Sequence, residues 1–130
     1  MLQRILFSII ESPTHPDLST IYNRHNITEV RLTSTRKAIS ALKDQQPDFV
    51  VAEFFYGYGN NYAGVNISNL DVFLFSLQKY APKARIIVLV DKSERQYVDK
   101  LSDILPLHAV FTHPVSAQDV EAALLSSTAY

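Results

Sequence analysis

The chain has 130 residues, 47% of them hydrophobic and 19% charged, with a formal net charge of -1, and such a composition predicts one folded domain with a true apolar core. Its 12 basic residues are scattered, so no nucleic-acid partner is expected, because gripping a phosphate backbone needs clustered Lys and Arg. Without cysteine there is no disulfide framework, thiolate zinc site or Cys nucleophile, and the apolar run from Ile5 to Ile10 is too short for a signal-peptide core or a bilayer span, so the chain reads as cytoplasmic with no membrane partner.

In chain order, apolar runs of strand length alternate with segments of helical periodicity, the pattern of a parallel sheet covered on both faces. The first strand is placed over Arg4 to Ile10. Pro13 and Pro16 then delay the first helix until about Asp17 and leave room for only two or three turns. A second strand follows over Thr28 to Leu32. Ser34 is placed to cap a helix running through Leu42, with Ala38, Ile39, Ala41 and Leu42 on one face. The third strand, Phe49 to Phe54, is introduced by Pro47-Asp48. Ser68 or Asn69 is expected to cap the next helix, whose buried stripe is Leu70, Phe73, Leu74 and Leu77. After a fourth strand over Arg85 to Val90, a helix starting at Ser93 turns Tyr97, Val98, Leu101 and Ile104 or Leu105 inward and Glu94, Arg95 and Lys100 outward. The fifth strand covers Ala109 to Phe111. The last helix opens at Ser116, with Asp119 three residues on in a capping-box-like arrangement, and buries Val120, Ala123 and Leu124.

Five strands alternating with five helices predict an α/β fold of the flavodoxin-like, doubly wound kind, a (βα)5 unit with a parallel sheet in the order 2-1-3-4-5. In such sheets ligands and reactive groups gather outside the carboxyl ends of the strands. Delivered to that edge are Ile9, Ile10 and Glu11, then Glu53 and Phe54, then Val90 and Asp91, and last Thr112 and His113.

The run Pro47-Asp48-Phe49-Val50-Val51-Ala52-Glu53, with Thr112-His113-Pro114 far downstream and Arg4-Ile5-Leu6 at the start, resembles a response-regulator receiver domain over essentially the whole chain. The resemblance implies phosphoryl transfer from a histidine kinase to an aspartate, assisted by Mg²⁺ on an acidic pair. It also implies a hydroxyl, a lysine and an aromatic that sense the event. Carried over residue by residue, that machinery is replaced. Glu53 stands at the phosphoacceptor position, where its extra methylene carries the carboxylate roughly 1.5 Å farther and misplaces an in-line attack. Ile9 and Ile10 fall where the acidic pair would be, leaving Glu11 as the nearby acid for a cation that wants more than one carboxylate. Val90 replaces the hydroxyl, His113 the lysine and Val110 the aromatic, and a neutral imidazole supplies no permanent positive charge. The resemblance is therefore to a degenerate receiver, a pseudo-receiver that is not phosphorylated in the usual way. Pro114 is a candidate cis proline by the same likeness.

The segment after Glu53 is longer than the usual receiver connection and holds every glycine of the chain, Gly57, Gly59 and Gly64. Their spacing fits neither a dinucleotide fingerprint nor a P-loop. Tyr56, Tyr58, Asn60, Asn61 and Tyr62 make it a candidate binding loop, since Tyr gives large amphipathic contact area at low entropy cost while Gly and Asn give adaptability. The blander reading is a loop whose aromatics fold over the sheet edge and fill the space of the missing metal and phosphate.

Other residues weigh less. A hydrogen bond between His113 and Glu53 is favoured over a metal site built from Glu11, Glu53 and His113, and neither metal nor cofactor is expected. His15 and His25 read as solvated, and His108 as a turn residue. Asp48 lies at the wrong end of its strand for phosphoacceptance, and Asp91 is expected to cap the following helix. The Asn26-Ile27-Thr28 and Asn66-Ile67-Ser68 matches to a glycosylation motif carry little weight without a secretory signal. The function expected is a nonenzymatic signalling or scaffold module that binds a protein partner of a signalling pathway. It would act through the fourth helix, fifth strand and fifth helix (Lys92, Arg95, Gln96, Lys100, the residues near Val115) or through the aromatic loop, and a homodimer is left open. The alternative is a sensor of an aromatic or quinone-like ligand held in the vacated pocket beside Ile9, Ile10, Glu53 and Val90.

Overall fold

The computed structural model describes residues 4–10, 17–56 and 68–125. Five parallel strands, β1 (Arg4–Ile9), β2 (Ile27–Leu32), β3 (Phe49–Phe54), β4 (Arg85–Val90) and β5 (Ala109–Thr112), form one sheet in the order β2-β1-β3-β4-β5. This is the doubly wound order read from the sequence, and each strand bound lies within one residue of its expected place. The helices are α1 (Ser19–Arg24), α2 (Thr35–Leu42), α3 (Asp71–Tyr80), α4 (Arg95–Val98) and α5 (Ala117–Leu125).

Side-chain alternation along the strands divides the core in two. Phe7, Ile9, Val50, Ala52, Phe54, Val88 and Val90 pack against α2, α3 and the α4 region, while Leu6, Phe49, Val51, Ile87 and Leu89 pack against α1 and α5. Central strand β3 is buried at every position, whereas edge strand β2 interleaves Thr28, Glu29 and Arg31 with its apolar residues. Full burial of each large apolar side chain contributes about 1.5–3 kcal/mol, so the continuous apolar runs of β3 and β4 fix the centre of the sheet.

Local sequence sets most helix ends. Ser34 Oγ accepts from the Lys37 amide at 3.2 Å, and Ser116 Oγ accepts from Gln118 N–H at 3.2 Å, both first-turn caps. Asp17 Oδ1 accepts from Ser19 N–H ahead of α1, which has six residues, shorter than the two or three turns expected. Just past its C-cap, His25, Asn26 has a φ of 59°, the left-handed conformation that Asn tolerates beyond a helix end.

Two further expectations are corrected. The helix expected from Ser93 is instead a single α-turn between two 3₁₀ turns, Lys92–Glu94 and Asp99–Asp103. Its anchors Val98 and Leu101 are both fully buried, and the i, i+3 spacing they share stacks side chains directly in a 3₁₀ turn. Asp91 does cap this segment, its Oδ2 accepting from Ser93 N–H at 3.0 Å. His108 does lie at a bend just before β5, and it is also a buried link, its Nε2 lying 2.8 Å from the Ala123 carbonyl of α5. His25 is not simply solvated: its Nε2 lies 2.7 Å from Glu121 Oε2, and Arg24 Nη1 donates to the same oxygen at 2.9 Å, which ties α1 to α5.

Candidate functional site

The carboxyl ends of β1, β3, β4 and β5 bring Ile9, Glu53, Val90 and His113 to one edge, as the topology requires. Ile9 and Val90 are fully buried and Glu53 is 1% exposed. Alternation from Phe49 and Val51 turns the Glu53 side chain toward the α1 and α5 face, while Phe54 enters the opposite core. A carboxylate so buried must be compensated, and Glu53 is not without a partner. Ile10 is half-buried beyond the end of β1, its N–H donating to the Leu32 carbonyl at 2.9 Å. Glu11, Tyr58, Asn60, Asn61 and Tyr62 lie outside the described residues.

Among the described residues no hydrogen bond or ion pair joins His113 to Glu53. The His113 amide donates to the Val90 carbonyl at 3.0 Å, and the His113–Pro114 peptide bond is cis. Electrostatically His113 acts on Asp91. Hydrogen bonds from the Ser93 hydroxyl and amide hold the Asp91 carboxyl below its usual range, and His113 lowers it further. Among the described residues, no group of three or more His, Cys, Asp or Glu side chains is arranged to hold a metal ion.

What the sequence did not disclose is how the chain leaves β3. Asn69, expected as a helix cap, serves the strand instead. Its Nδ2 donates to the Glu53 carbonyl at 2.8 Å, its Oδ1 accepts from Phe55 N–H at 2.7 Å, and its own amide donates to the Phe55 carbonyl at 3.2 Å. The side-chain amide thus continues the ladder that the backbone can no longer extend. Asn is suited to this because one group both donates and accepts. Ser68 is not the cap residue either, which is Leu70. Ser68 N–H and Oγ donate to Asp71 Oδ1 at 2.8 and 2.6 Å, and Ser68 Oγ accepts from Leu70 N–H at 3.1 Å.

One residue farther on, Tyr56 N–H donates to Glu94 Oε1 at 2.9 Å, and the Tyr56 ring stacks on Tyr97 with centroids 3.8 Å apart and planes 18° from parallel. Tyr56 is 47% exposed, so the pair covers the junction between the end of β3 and the α4 region while presenting an aromatic surface. Around it Lys92 and Gln96 are exposed, and Arg95 donates to Asp99 at 3.1 Å. The sequence signals for this contact were Tyr97 on the inward side of its segment and Tyr56 in an aromatic run, with nothing to pair the two.

Comparison with known proteins gives a likeness of fold. No family model and no curated protein matches the chain. Among solved structures, a response regulator receiver domain protein from Clostridium thermocellum superposes with a TM-score of 0.70 at 17% identity, over 95% of this chain and 91% of that one. The signal receiver domain of a putative LuxO repressor protein from Vibrio parahaemolyticus gives 0.72 at 10% identity, over 95% and 88%. The receiver domain of an HD domain-containing protein from Pseudomonas fluorescens gives 0.71 at 12% identity, over 95% and 92%. The fold is that of response-regulator receiver domains. Among the described residues, no helix is long and apolar enough to cross a membrane.

Proposed function

We propose that this chain is a degenerate receiver, a single signalling domain over residues 1–130 that acts without phosphoryl transfer by binding a protein partner in the cytoplasm. The observation that carries the reading is the burial of the Glu53 side chain, at a strand end whose neighbours Ile9 and Val90 are buried in the core on the opposite face. Phosphoryl transfer needs an accessible carboxylate in line with its donor and oxygen ligands for Mg²⁺, and Ile9 and Ile10 offer none from their side chains. Function then passes to surface, and the Tyr56–Tyr97 stack supports one continuous patch. It links Tyr56 to the segment that carries Lys92, Arg95, Gln96 and Lys100. Tyr and Arg are the residue types that dominate such interfaces. The alternative of an aromatic-ligand sensor gains no support from the described part of this edge, where Ile9, Glu53 and Val90 are buried.

Two measurements test the proposal. Intact mass after incubation with acetyl phosphate and Mg²⁺ is expected to be unchanged, and a phosphoryl adduct on Glu53 would sink it. Affinity purification from the native cell, comparing wild type with the Tyr56→Ala/Tyr97→Ala double variant, is expected to lose the partner in the variant. Equal capture by both would move the interface elsewhere.

A further inference from the structure

At the opposite edge of the sheet, outside the amino ends of the strands, lies a groove of ≈ 590 Å³ whose lining includes Arg4, Asp48, Phe49, Pro82, Lys83 and Arg85. The site rule for doubly wound sheets points to the other edge, so nothing in the fold requires a groove here. Its charge is unlike that of the chain as a whole. Arg4, Lys83 and Arg85 line it with one carboxylate among the described residues, Asp48, in a protein whose formal net charge is -1. Asp48 is committed to the backbone, its Oδ2 accepting from Ile5 N–H at 2.9 Å. Arg4 and Lys83 have no ion-pair partner among the described residues.

Two guanidinium groups are gathered on one ring. Arg4 Cζ lies 5.8 Å and Arg85 Cζ 6.0 Å from the centroid of Phe49, a cation–π arrangement that positions both heads. The pairing follows from topology, because β3 lies between β1 and β4 and the two arginines begin the flanking strands, roughly 10 Å apart at two strand spacings. Ala81, Pro82 and Ala84 add an apolar wall. The volume falls within the range of about 300–1,000 Å³ typical of small-molecule pockets, far more than a bare inorganic anion fills.

We propose that this groove binds the phosphate group of a small organic phosphate of about nucleotide size. A phosphate monoester carries roughly -1.5 to -2 near neutral pH, which matches the two cations, Arg4 and Lys83, that have no ion-pair partner among the described residues. Planar guanidinium groups match its oxygens two at a time, with Lys83 as a point charge. The apolar wall takes the body of the ligand.

The test is an amide NMR titration of the full chain with AMP, glucose 6-phosphate and phenyl phosphate, each beside its dephosphorylated counterpart. At least one phosphate is expected to shift amides of residues 46–49 and 81–85, and the counterparts to leave them in place. Lys83→Glu and Arg4→Gln are exposed changes expected to retain the wild-type spectrum elsewhere and each to weaken that phosphate about tenfold or more, as befits a charged hydrogen bond. The proposal is overturned if none of the three moves those amides up to roughly 10 mM, a very weak affinity on the usual scale, if the counterparts move them equally, or if both variants bind as wild type does.

Discussion

The rings of Tyr56 and Tyr97 stack 3.8 Å apart and nearly parallel, joining the exit of the central strand to a helical turn on the far side of β4. A stacked aromatic pair adds about 0.5–1.5 kcal/mol beyond its buried area. In a double-mutant cycle of Tyr56→Ala and Tyr97→Ala, read by urea unfolding, the coupling is expected near the lower end of that range because Tyr56 is half exposed. Strictly additive single effects would show that the stack contributes nothing to stability.

Asn69 carries a heavier load. Replacing it by Leu removes the donor to the Glu53 carbonyl and the acceptor for the Phe55 amide, stranding backbone groups at a largely buried strand end. Each stranded group costs about 1–3 kcal/mol. Denaturant unfolding should show a loss in that range or above, and the Phe55 amide should exchange faster with solvent. A variant as stable as wild type, with unchanged Phe55 protection, would show the bonds to be incidental.

If the chain is a degenerate receiver as proposed, an aspartate at position 53 should not by itself confer phosphorylation. Glu53→Asp shortens the side chain, yet Ile9 and Ile10 still offer no side-chain oxygen to a cation, and Val90 no hydroxyl. Intact mass after acetyl phosphate and Mg²⁺ is expected to be that of the untreated variant. A phosphorylated Glu53→Asp protein would mean that the acidic pair can be dispensed with here.

The clamp between α1 and α5 has a defined pH sign. The hydrogen bond with His25, and then the bond and charge of Arg24, hold the Glu121 carboxyl below its ordinary value of 4.5. A carboxyl depressed in the folded state contributes stability that is present above the unfolded value and lost as pH falls through the folded one. Thermal unfolding of Glu121→Gln should therefore show lower stability than wild type at neutral pH, with the difference shrinking below about pH 4.5. A difference that persisted undiminished into acid would exclude this ionisation as its source.

Much of the architecture was legible. Val50, Val51 and Ala52 mark a buried strand because a central strand is apolar on both faces, and Ser34 announces α2 because a cap acts on amides only a few residues away. The α4 region was not, since Val98 and Leu101 are spaced acceptably for either an α-helix or a 3₁₀ turn and their packing on the sheet selects between them. At the candidate site, Glu53, Ile9, Val90 and His113 were placed at the correct edge by strand order. The pairing of His113 with Glu53 was not found, because sharing an edge does not make two side chains meet.

By itself the sequence determined the order of elements, the faces they bury and the residue types, Ile9, Glu53 and Val90 among them, that stand at the carboxyl ends of the strands. All of these are local properties of residue type and period. Only the tertiary structure decided that Tyr56 meets Tyr97, that Asn69 completes β3, that Glu121 holds Arg24 and His25, and that Arg4 and Arg85 share the ring of Phe49. Each joins side chains from separate elements, and periodicity reports which face an element buries without naming the residue it meets there.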